Sequence, residues 1–135
     1  DPMAAHLVLS SGVPLTLVDL GAARQVTVTR DELGRWRTPS RLGRLAVQLL
    51  GNWFRRDPLR ERFEFYDPLA LAVALDPRLA TCKQSTLTVD IADPARSGET
   101  RVIAANGPVA VAGQVDGPSF FEFLGELFDL SYRAN

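Results

Sequence analysis

The sequence has little of what most metal and nucleophile sites are built from: one cysteine and one histidine in 135 residues. Cys82 alone cannot close an internal disulfide, and with only His6 beside it no Cys/His cluster of the zinc-binding type can form. A lone thiol points to a cytoplasmic setting. Glycine-rich phosphate loops, serine nucleophile elbows and paired histidines are missing as well, which removes the common nucleotide-binding and acyl-transfer signatures. The longest purely apolar run, Leu69 to Leu75, is far shorter than the roughly 20 residues a bilayer-spanning helix needs. No membrane partner is expected, and nothing reads as a targeting segment. Charge of one sign is lacking too: 15 Lys+Arg against 16 Asp+Glu leaves a net charge of -1, so no nucleic-acid partner is expected either. The densest basic stretch, Arg55 to Arg62, is broken by acids and a proline and reads as a solvated helix end and loop.

What remains is ordinary globular composition, 46% hydrophobic and 23% charged, enough for one domain with its own core. Asp1-Pro2 reads as an N-cap and first helical residue, with Met3, Leu7 and Val8 at helical spacing up to Gly12. Opening on a capping motif suggests a fragment or processed product. Val13 to Val18 reads as a buried strand. Thr29 and Glu32 form a capping box for a short helix from about Arg30 to Trp36. Beyond Thr38-Pro39-Ser40, Leu42, Leu45, Ala46, Leu49, Leu50, Trp53 and Phe54 mark a long amphipathic helix. Within it Gly43 and Gly51 each cost roughly 1 kcal/mol relative to alanine, so close packing or bending is expected at both.

Asp67-Pro68 opens a helix that is apolar on every side through Leu75 and is therefore expected to be buried. Asp76-Pro77 ends it in a turn. Thr86 to Ile91 alternates as a strand. Val102-Ile103-Ala104 and Val109 to Val115 flank Asn106-Gly107, a dipeptide suited to a tight hairpin, so a β-hairpin is expected near residues 100–115. An aromatic-rich helix follows Pro118, its Phe120, Phe121, Leu124 and Phe128 read as core. The expected fold class is α/β, an open sheet flanked by helices.

Chemistry concentrates at Phe63-Glu64-Phe65-Tyr66-Asp67-Pro68, where an acid at the start of a buried helix stands beside an aromatic hydroxyl. Two readings of Asp67 stay open. It is a helix cap, as Asp-Pro recurs at residues 1, 57, 67, 76 and 93, or it is a desolvated carboxylate, supported by the helix N-terminus, that binds a hard cation such as Ca²⁺. Asp90, Asp93 and Asp116 lie in strand or turn contexts without calcium-loop spacing. His6 reads as a partly buried helix-face residue and Cys82 as inert.

These segments resemble a known family. Asp1-Pro2-Met3-Ala4-Ala5, followed by Ser11 to Val18 and Leu20 to Val26, is similar to the helix-to-strand segment of the inosine-uridine-preferring nucleoside hydrolases. Tyr66-Asp67-Pro68-Leu69-Ala70 resembles their His-Asp-Pro-Leu-Ala motif, and Asp116 with Phe120-Phe121 their closing strand-to-helix element. The resemblance covers almost the whole chain and identifies it as the C-terminal half of such a domain. It implies hydrolysis of the N-glycosidic bond of a ribonucleoside in a pocket holding one Ca²⁺, with Asp67 as metal and ribose ligand and residue 66 at the leaving base. Two positions depart from the pattern: Tyr66 replaces the histidine, and Gly21-Ala22-Ala23 replaces Asp-Val-Thr. The family's Asp-rich motif and other ligands have no counterpart in these residues, so the chain alone is expected to be inactive. A non-catalytic binding or assembly relative is the alternative, and a small unrelated interaction domain a third. Half of a larger sheet would leave an edge or apolar face open to homo-oligomerisation.

Overall fold

The computed structural model describes residues 1–132. In chain order the elements are α1 (Pro2–Ser10), β1 (Leu15–Leu17), α2 (Leu20–Ala23), β2 (Thr27–Thr29), α3 (Arg30–Arg35), β3 (Trp36–Arg37), α4 (Arg41–Arg55), β4 (Arg62–Glu64) and α5 (Tyr66–Leu75). A 3-10 turn (Pro77–Leu79), β5 (Ala80–Val89), β6 (Thr100–Ala105), β7 (Val109–Val115), α6 (Gly117–Phe128) and β8 (Ser131–Tyr132) follow. An open four-stranded sheet in the order β1-β7-β5-β6 is joined by two short ribbons, β2-β4 and β3-β8. The chain is thus a mixed α/β unit with an open sheet flanked by helices, as its patterning implies.

Local chemistry sets the helix starts. Asp1 accepts the Ala4 N–H at 3.0 Å to cap α1, and Ser40 accepts that of Gly43 at 2.8 Å to cap α4. The expected capping box is present at α3: Glu32 accepts from the Thr29 N–H at 2.7 Å while Thr29 Oγ1 accepts from the Glu32 N–H at 3.2 Å. Donation from the Thr29 backbone holds the Glu32 carboxyl below its ordinary range. Of the two glycines in α4, only Gly43 is tightly packed. A Cβ there would lie 2.4 Å from both the Phe128 carbonyl and Thr38 Oγ1, whereas at Gly51 it would meet only Arg55, at 3.5 Å.

The core gathers where β2, β4, α4, α5 and α6 converge, with Val26, Val28, Phe54, Leu69 and Phe120 fully buried. Phe65 links the aromatic residues: its ring centroid lies 5.1 Å from Phe63 and 5.7 Å from Phe120, both edge-on, a favoured geometry for aromatic pairs.

Three expectations change. The segment read as a buried strand shortens to β1, which is half-buried, with Val13 52% exposed. The reason is position: β1 pairs only with β7, in parallel, and forms one edge of the sheet. The helix expected to be wholly buried is α5, and it buries Leu69, Ala72 and Val73 while Leu71 and Leu75 stay 57% and 65% exposed; only one of its faces meets the core. The strands on either side of Asn106-Gly107 form, but not as a hairpin. β6 and β7 each pair antiparallel with β5 and so run in the same direction. Asn106, at φ 59, and Gly107 carry the chain past β5 without reversing it. Gly107 approaches β5 so closely that a Cβ would lie 2.3 Å from the Thr86 nitrogen.

The accessible surface is 8975 Å², against about 7,000 Å² for a self-contained monomer of this mass. The excess fits the uncovered edge of β1 and the open faces of α1 and α5. Among the described residues no helix is long and apolar enough to cross a membrane.

Candidate functional site

The Asp-Pro motif that suggested a trivial role for Asp67 separates its five members clearly. Asp1 accepts the N–H of Ala4, Asp57 that of Leu59, Asp76 that of Arg78 and Asp93 that of Ala95, at 2.9 to 3.0 Å. Asp67 differs. Helix α5 begins one residue earlier, its cap position is Phe65, and no side chain caps it. Asp67 is therefore not the cap expected from the sequence but the second residue of the helix. It is exposed rather than desolvated. Its carboxylate has no described hydrogen bond or ion pair, while the free N–H groups and dipole of the helix start favour its charge.

Tyr66 lies beside it, 43% exposed, and its hydroxyl donates to the Glu64 carboxylate. The other Glu64 oxygen faces Arg24 Nε at 3.8 Å. Donation to Glu64, followed by burial and the charge of Glu64, raises the Tyr66 phenol above its ordinary range. Glu64 and Arg24 were not marked by sequence reasoning. Glu64 stands two residues from Tyr66, across the end of a strand, and was legible as a neighbour; Arg24 arrives from α2 by tertiary folding alone.

An apolar pocket of ≈ 440 Å³ opens between α4, α5 and α6, lined by Leu50, Phe63, Leu71 and Leu124, with Asp67 as its acid. Tyr66 does not line it. The other acids singled out from the sequence are used by the fold. Asp116 caps α6 through the Ser119 N–H at 3.1 Å, which holds its carboxyl low. Asp90 and Asp93 organise the loop between β5 and β6. His6 is half-buried on α1 and Cys82 is exposed on β5.

Calcium takes six to eight oxygen ligands. Among the described residues no group of three or more His, Cys, Asp and Glu could hold a metal ion. Asp67 and its described neighbours therefore do not make a calcium site by themselves.

The family model of the inosine-uridine preferring nucleoside hydrolases matches residues 1–122. The non-specific ribonucleoside hydrolase RihC of Salmonella paratyphi B is 29% identical over 135 residues, covering 95% of this chain and 43% of its own length. Among solved structures, the purine-preferring ribonucleoside hydrolase from Gardnerella vaginalis superposes with a TM-score of 0.73 at 27% identity, over 96% of this chain and 44% of its own. The plant nucleoside hydrolase PpNRh1 gives 0.76 at 25% identity, over 95% and 45%. The chain thus spans less than half the length of the relatives it matches.

Proposed function

The chain belongs to the inosine-uridine preferring nucleoside hydrolase family, and on that premise we propose that it forms part of a calcium-dependent ribonucleoside hydrolase cleaving the N-glycosidic bond to free base and ribose. The observation that carries this reading is the freedom of Asp67. A carboxylate with no hydrogen bond or ion pair among the described residues, exposed at the N-terminus of a helix, is available to a cation and to ribose hydroxyls. Asp67 supplies one oxygen ligand. The others must come from polypeptide outside the described residues, so the chain alone is inactive. The setting we propose is cytoplasmic nucleoside salvage, with a ribonucleoside as the partner.

Tyr66 does not protonate the leaving base in this scheme. An effective general acid has a pKa near the working pH, whereas a phenol begins near 10 and Glu64 raises it further. Its role is contact with the base. The same observation favours a second reading, a non-catalytic nucleoside-hydrolase-like binding or assembly protein. The excess surface supports association, either with the rest of such a domain or with a second copy. Ribose release from inosine and uridine by the intact polypeptide, measured beside nucleoside binding, separates the two readings. Turnover is the expected result; binding without release would favour the non-catalytic relative.

A further inference from the structure

Independently of the hydrolase reading, we propose that Asn106-Gly107, the dipeptide that forms no hairpin, is a self-modifying site: it deamidates through a cyclic imide and so ages the chain between β6 and β7. Asn106 is exposed, and among the described residues neither its carboxamide nor the Gly107 N–H has a hydrogen-bond partner. Gly107 sets no side chain against the attack. Once solvent base removes the Gly107 amide proton, its nitrogen bonds to Asn106 Cγ and the carboxamide nitrogen leaves as ammonia. Water then opens the imide ring. Cleavage at Cγ gives aspartate; cleavage at the main-chain carbonyl gives isoaspartate, in which the backbone runs on through Cβ and Cγ. One water is consumed and one ammonia released, with no cofactor or oxidant.

The fold selects this asparagine and gives its product a consequence. Asn52, by contrast, lies half-buried inside α4 with its side chain accepting from Arg55, and the N–H that would attack it, that of Trp53, is spent in the helix ladder. At the turn, Asn106 sits at φ 59 and donates its own N–H to the Gln84 carbonyl at 2.8 Å. Gly107 packs so closely on Ser85 and Thr86 that no Cβ fits. The main chain is thus held on both sides of the reacting bond, and the extra backbone carbon of isoaspartate must bulge away from β5. The pairs it pulls apart are Ser85 with Ala105 and Thr86 with Ala104. β6 is exposed along its whole length at the edge of the sheet, so little else holds it down. Aspartate adds the same charge without lengthening the chain.

The test ages the purified, folded chain at neutral and mildly alkaline pH and follows it by peptide mass mapping and isoaspartyl methyltransferase labelling. The peptide holding Asn106 is expected to gain about 1 Da as an amide becomes an acid, faster as pH rises, while the peptide holding Asn52 stays unchanged. Asn106→Gln should abolish both the mass shift and the labelling. The isolated isoaspartyl fraction should melt at least about 4 °C below fresh Asn106→Asp protein, and hydrogen exchange should show the β6 amides losing protection first. Conversion only after unfolding in urea, or equal conversion at Asn52, would overturn the site. Equal melting of the isoaspartyl and Asn106→Asp forms would overturn the release of β6. Neither readout needs turnover, so a chain that frees no ribose from any nucleoside still decides the matter.

Discussion

At the end of β5 the Asp90 carboxylate accepts the N–H groups of Ala92 and Asp93 at 3.2 and 3.1 Å, and lies 3.2 Å from Arg101 and 3.6 Å from Arg96. In the first turn of α5 the Asp67 carboxylate has none of these partners. Asp90 is buried and Asp67 exposed, so the acid that is costly to bury is the one surrounded by donors, as desolvation demands. The contrast distinguishes an acid that the fold uses from one that no described contact uses, which is the acid proposed to take a ligand. Saturation by backbone N–H groups, rather than residue type, is what tells them apart.

The comparison can be broken first at its functional end. Asp67→Asn in the intact polypeptide should, on the proposed function, lower ribose release by more than the 10- to 100-fold typical of losing an outer-shell partner of a metal site, while leaving Tm within about 1 °C, since an exposed, unbonded side chain contributes little to stability. A large fall in Tm, or unchanged turnover, would erase the distinction. Asp90→Asn should do the reverse. It removes the charge that faces two arginines and weakens the turn at residues 90–93, lowering Tm by about 5 °C with turnover unchanged within about twofold; thermal melts and a ribose assay on the same preparation check both. The smallest effect is in pH. Asp93 and Ala92 N–H donation holds the Asp90 carboxyl below its ordinary range, so its stabilisation is complete above the unfolded value near 3.9 and is lost as pH falls through the lower folded value. Melts recorded from about pH 5 down to pH 2 should therefore show a steeper loss of Tm in the wild type than in Asp90→Asn, and parallel curves would count against a structural role for Asp90.

Much of the architecture was legible because it is local. The Thr29-Glu32 capping box, the Asp1-Pro2 helix start and the amphipathic run in α4 each state their structure within a few residues. The pairing partners were not legible. Asn106-Gly107 carries the turn chemistry of a hairpin, but β5 offers both of the neighbouring strands a partner, and that competition is tertiary. The same holds for α5: an all-apolar sequence implies burial, yet which face is covered depends on what packs against it. At the site, Tyr66 and Asp67 stood out from their neighbours in sequence. The freedom of Asp67 could be seen only once the other four Asp-Pro carboxylates were found occupied. Arg24 was beyond reach because it meets Glu64 from 40 residues away.

The proposed function has this chain bring one carboxylate, Asp67, to a ribonucleoside hydrolase site that the described residues do not complete. Reducing-sugar release from inosine and uridine by the purified 135-residue chain, with calcium present and other hydrolase polypeptide absent, tests it most directly. The expected result is no ribose above a protein-free blank. Sustained turnover that disappears in Asp67→Asn would contradict it, because the described residues would then hold a complete catalytic set.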